Sequence, residues 1–89
     1  MKKSFQLFIG QNNETKKLET EKITGILSKY FDGFTIQKGV GFWRGQQEET
    51  AIVYVCDDAD LVFACIGKMK TELKQDAIAC VETKPLQFI

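Results

Sequence analysis

The sequence has no histidine, one tryptophan, one arginine and one proline in 89 residues. Without histidine, Ser-His-Asp and Cys-His catalysis are excluded, and with them the usual general base near neutral pH. The three cysteines, Cys56, Cys65 and Cys80, form no CxxC pair and make no zinc-ligand pattern. They sit among apolar neighbours and read as buried thiols, small hydrophobes of a reducing compartment. The expected location is the cytoplasm, and no cofactor is expected.

Charge of one sign is also missing. Twelve Lys+Arg balance twelve Asp+Glu, and the basic residues are spread out rather than clustered. A DNA binder usually carries a basic surplus, so nucleic acid is not an expected partner. "MKKSFQLFIGQNN" joins two lysines to an apolar run too short for a signal-peptide core, with no small-residue cleavage site after it. No apolar stretch approaches a membrane span, so no membrane partner is expected. The glycines of "GVG" (39–41) and Gly45 lie between strand patterns, not between a strand and a helix, and no GKS/T follows. A phosphate-binding loop is therefore excluded.

The residues that are present describe one domain, 1–89, with the composition of a folded protein: 44% hydrophobic and 27% charged. "SFQLFIG" alternates as a strand, with Phe5, Leu7 and Ile9 on one face and Phe8 on the other. "QNNETKK" is a polar loop. From about Thr20 the residues Ile23, Ile26, Leu27, Tyr30 and Phe31 recur at helical spacing, and Gly33 is expected to close this helix with a positive φ. "FTIQ" predicts a short second strand. "TAIVYVC" is apolar on both faces, as a central strand is. Asp57, Asp58 and Asp60 supply helix-capping residues before a second helix with the stripe Leu61, Cys65, Ile66, Met69 and Leu73. "AIACVE" is a fourth strand ended by Pro85, and "LQFI" follows as a short extension.

The order β-α-β-β-α-β predicts an α+β, ferredoxin-like sandwich: an antiparallel four-stranded sheet with two helices on one face. A permuted α+β sandwich is the competing arrangement. In the ferredoxin-like case, Phe8, Ile52 and Tyr54 project from the uncovered face and are expected to be covered by another copy of the chain, or else by loops and "LQFI". A homo-oligomer is expected.

"KGVGFWRGQQEET" (38–50) joins the second and third strands and is longer than a hairpin connection needs to be. In one reading both strands continue and the turn falls at Arg44–Gly45–Gln46. In the other, a protruding hairpin carries Phe42, Trp43 and Arg44 as anchors for a partner, with Glu48 and Glu49 as rim charges. Tryptophan and arginine are the types that most often dominate interface energy. Arg44 also suits an anionic group, held bidentately beside an aromatic ring.

"YFDGFTI", "GFWRG" and "EETAIVYV" together resemble a pattern of small, uncharacterised bacterial and phage proteins with a ferredoxin-like fold. The topology is similar to P-II-type signalling proteins, trimers whose long loop between strands two and three contacts partners. These resemblances imply a non-enzymatic binding or adaptor protein, a phage or mobile-element accessory factor that binds or sequesters a host factor or signalling molecule. The alternative they leave open is an oligomer that binds a small anionic or nucleotide-like ligand in clefts between subunits.

Overall fold

The computed structural model describes residues 2–85, 87 and 89. Its elements run β1 (Lys2–Ile9), α1 (Thr20–Tyr30), β2 (Thr35–Trp43), β3 (Gln46–Asp58), α2 (Ala59–Glu72) and β4 (Ala79–Thr83). The four strands form one antiparallel sheet in the order β2-β3-β1-β4. This is the ferredoxin-like split βαβ topology, with β1 and β3 at the centre as their apolar patterns require.

Period-two alternation decides what each face of the sheet does. Phe5, Leu7 and Ile9 of β1 lie opposite Val55, Val53 and Ala51 of β3 in the pairing register. All six are buried, in one core with Ile23, Ile26, Leu27 and Phe31 of the α1 region and Val62, Cys65, Met69 and Leu73 of the α2 region. Val62 joins this stripe although the expected set omitted it, and Leu61 and Ile66 pack only at its margin. The other face carries Phe8 opposite Ile52, and Gln6 opposite Tyr54.

The two helix ends differ from expectation in an informative way. Gly33 has no positive φ: α1 closes at Phe31 in an extended conformation, and nothing lies within 4 Å of where a Gly33 side chain would begin. The left-handed cap belongs to α2 instead. Lys74 has φ 55°, Gln75 N–H donates to Lys70 O at 3.0 Å, and Leu73 N–H donates to Met69 O at 2.8 Å. That is a Schellman-type ending with lysine where glycine is favoured. Lys74→Gly should therefore stabilise the fold by roughly 0.5–1 kcal/mol. Gly33→Ala should be neutral or slightly stabilising, because the unfolded chain loses freedom with no native strain. Paired urea denaturations check both, and a loss of more than about 1 kcal/mol for Gly33→Ala would contradict the assigned backbone.

Two further readings need correction. Asp58 stands at the N-cap of α2, but its side chain makes no capping hydrogen bond, and Asp57 Oδ1 accepts the Asp58 N–H at 2.8 Å instead. The capping there is only the acidic charge, with Asp60 in the first turn. Of the cysteines only Cys65 is buried, while Cys56 is half-buried and Cys80 is exposed on the edge strand. Burial pushes the Cys65 thiol up to about 11, so it stays protonated and behaves as a hydrophobe.

Candidate functional site

The segment 38–50 is almost entirely strand. β2 and β3 remain paired from Thr35–Tyr54 out to Trp43–Gln46, leaving a turn of two residues, Arg44 and Gly45. This is the reading in which both strands continue: the short strand expected from "FTIQ" extends to Trp43, and the turn falls at Arg44–Gly45 with Gln46 already in β3. Together they form a long two-stranded arm. Arg44 has φ 51° and Gly45 φ 79°, the pair of positive values that a type I′ turn needs to match strand twist. The arm contributes to a molecule measuring 38 × 22 × 19 Å along its principal axes.

Glycine is required inside the arm for packing rather than for flexibility. A Cβ on Gly41 would lie 2.6 Å from Thr50 Oγ1, and one on Gly39 would lie 3.2 Å from Ile52 Cδ1. Side chains of β3 thus lean over the bare backbone of β2.

A cleft of about 470 Å³ opens beside Gly41. Phe8, Phe42 and Trp43 line it together with Glu48, Thr50 and the connection from α2 to β4, represented by Gln75 and Asp76. Phe42 and Trp43 are 71% and 66% exposed, and Phe8 is 37% exposed. Large aromatic surface left this open is the feature that a binding site and a misfolding hazard share. The wall is held in place: Gln75 Nε2 donates to Gly10 O at 2.6 Å, tying the α2–β4 connection to the end of β1.

The expected site residues separate. Trp43 and Glu48 share the cleft's side of the arm, while Phe42 borders the cleft from the opposite strand face. Arg44 does not line it; its guanidinium lies over the Trp43 ring, 5.6 Å from the centroid. Glu49 faces a second depression, with Val40, Lys16 and Lys17, which Glu48 also borders. Phe8, Ile52 and Tyr54 lie on the uncovered sheet face, Phe8 exposed and the other two half-buried. Of "LQFI", Leu86 and Phe88 lie outside the described residues, and Ile89 is fully exposed.

Sequence reading missed Gln75 and Asp76 at the cleft, because only the crossover of α2 brings them beside β1. It also missed Asn12, buried at 5% exposure in the "polar" loop. Asn12 Oδ1 accepts the N–H groups of Glu14 and Thr15 at 2.7 and 3.1 Å, and Nδ2 donates to Glu19 Oε1 at 2.6 Å. The one available signal was an asparagine followed by short polar residues, an Asx-turn pattern. Among the described residues no group of three or more His, Cys, Asp or Glu could hold a metal ion, and no helix is long and apolar enough to cross a membrane.

No family model matches the chain, and no curated protein matches it. Solved structures do. A DUF3240 family protein from Shewanella baltica OS155 superposes with a TM-score of 0.67 at 17% identity, over 97% of this chain and 92% of that one. A phage SAM lyase in complex with S-methyl-5′-thioadenosine gives 0.61 at 17% identity, over 93% and 81%. The divalent ion tolerance protein CutA1 from Ehrlichia chaffeensis gives 0.56 at 18% identity, over 100% and 87%. At these identities the likeness establishes the fold, and it agrees with the resemblance to a small uncharacterised ferredoxin-like family.

Proposed function

We propose that the protein is a self-assembling, non-enzymatic binding module, with copies packed through the uncovered sheet face and a small ligand held at the root of the β2–β3 arm. The observation that carries this reading is the convergence of Phe8 and Trp43 on one open cleft at the edge of a sheet face that no helix covers. That face is free of charge across its middle. Thr83–Ser4–Cys56, Val81–Gln6–Tyr54–Thr35, Ala79–Phe8–Ile52–Gln37 and Thr50–Gly39 stand in successive cross-strand rows. In a chain with 27% charged residues, such a run resembles the charge-depleted core of an interface. The phage SAM lyase of the same fold, solved with a thioadenosine, supports a small-ligand reading over a purely structural subunit.

A second reading, docking of a protein partner on the arm, is favoured by Val40 and Phe42. They alternate on the arm's other face and are 62% and 71% exposed. Phage or mobile-element origin, and a role in sequestering a host molecule, remain a proposal from the resemblance alone.

Light scattering tests the assembly. The wild type is expected to run as one defined oligomer, and Phe8→Glu to fall toward the 10.1 kDa of a single chain with an unchanged far-ultraviolet spectrum. Val81→Glu, on the same face, provides a second disruption at an exposed edge position. A wild type that stays monomeric at high concentration would overturn the assembly reading.

A further inference from the structure

The charge of the cleft carries the reading further. Its aromatic walls come from β1 (Phe8) and from the end of β2 (Trp43), and its ionisable lining groups are two carboxylates, Glu48 and Asp76. Neither carboxylate is ion-paired among the described residues. No lysine or arginine lines the cleft. Glu48 is half-buried and leans across the end of β1, its Oε1 3.7 Å from where a Gly10 Cβ would stand. Gln75, pinned to Gly10 O, places Asp76 at the neighbouring wall. Aromatic faces attract cations through the ring quadrupole, and the cleft's own tryptophan already accepts the guanidinium of Arg44. Carboxylates beside such rings attract a cation further and repel an anion.

On the reading that this cleft is a ligand site, we infer that it selects a small organic cation with a flat or delocalised face, in preference to an anion of the same shape. This replaces the expectation of an anionic ligand held by Arg44, since Arg44 stands outside the lining and the groups inside have the opposite sign. The aromatic walls supply contact area, Glu48 and Asp76 supply the sign, and Gln75 and Thr50 supply hydrogen-bonding groups at the rim.

The single tryptophan gives a direct readout, because its indole N–H contributes one cross-peak to a nitrogen-15 correlation spectrum. The full chain is titrated with N-methylquinolinium and, separately, with 2-naphthalenesulfonate, rings of similar size and opposite charge. The cation should shift the Trp43 indole peak saturably, with an affinity at least tenfold above that of the anion, and weaken as salt is raised. Glu48→Gln combined with Asp76→Asn should reduce the preference to below threefold while the rest of the spectrum keeps its dispersion. Asp76→Asn alone, at an exposed position, gives a partial reduction that does not depend on the Glu48 change being tolerated. Equal or tighter binding of the anion would overturn the inference and leave the ligand-site reading intact. If neither ring moves the peak, both fall. A peak that responds only to protein concentration would assign the cleft to a neighbouring copy and also overturn the inference.

Discussion

Leu7→Ala is expected to destabilise the protein by about 3 kcal/mol, the middle of the range for emptying a buried leucine site. Leu7 is fully buried at the middle of β1, between Val53 of β3 and Cys80 of β4 in the pairing register. Its side chain belongs to the core beneath both helices. The strand is held on both edges and cannot collapse into the space, so most of the cavity should persist. For a domain of this size the loss corresponds to a fall in melting temperature of roughly 12–24 °C. Gln6→Ala, one residue away on the uncovered face, should cost far less than Leu7→Ala, because it empties no site in the core beneath the helices. Thermal denaturation of the pair checks the assignment of faces, and similar losses at both positions would contradict it.

Asn12→Ala is expected to cost about 2–3 kcal/mol, a large effect for a residue in a loop. Truncation leaves the N–H groups of Glu14 and Thr15 without their shared acceptor and removes the donor to Glu19. Asn12 itself is buried, so the truncated site cannot offer the two N–H groups a new side-chain acceptor. The loop is otherwise closed only by backbone bonds, Asn12 N–H to Lys17 O at 2.9 Å and Lys16 N–H to Asn12 O at 2.8 Å. Glu19 stands at the start of α1, so the damage should reach the first turn of that helix and show as faster amide exchange there. Asn12→Asp is the informative companion. It keeps the two acceptor bonds but sets a second carboxylate against Glu19. Its cost should therefore fall as salt is raised and the two like charges are screened. A cost independent of salt would mean that the Asn12–Glu19 contact contributes little.

The fold was legible because it follows from local periodicity. Alternation in "SFQLFIG", the helical spacing from Ile23 to Phe31, and a third strand apolar on both faces require a sheet with β1 and β3 inside it and helices on one side. The helix end was misread because glycine permits a left-handed conformation without demanding one. Gly33 does not use it, while Lys74 is forced into it where α2 must turn toward β4. The arm left two readings open for a related reason. "GVG" looks like a loop when glycine is scored by propensity, yet here its lack of a side chain makes room for Thr50 and Ile52 from the paired strand. That pairing is a non-local fact.

The candidate site divides along the same line. Sequence alone determined the absence of histidine chemistry, the neutral overall charge, the core faces, and the identity of Trp43 and Phe42 as unusual side chains, because each depends only on residue type and spacing. Tertiary structure decided which of them meet. Crossover of α2 carries Gln75 and Asp76 to the end of β1, pairing of β2 with β3 brings Trp43 and Glu48 to the same cleft, and the two-residue turn sets Arg44 on the indole rather than among the lining groups. The sign of the cleft's charge is thus a product of chain crossing and strand register, which no local pattern encodes.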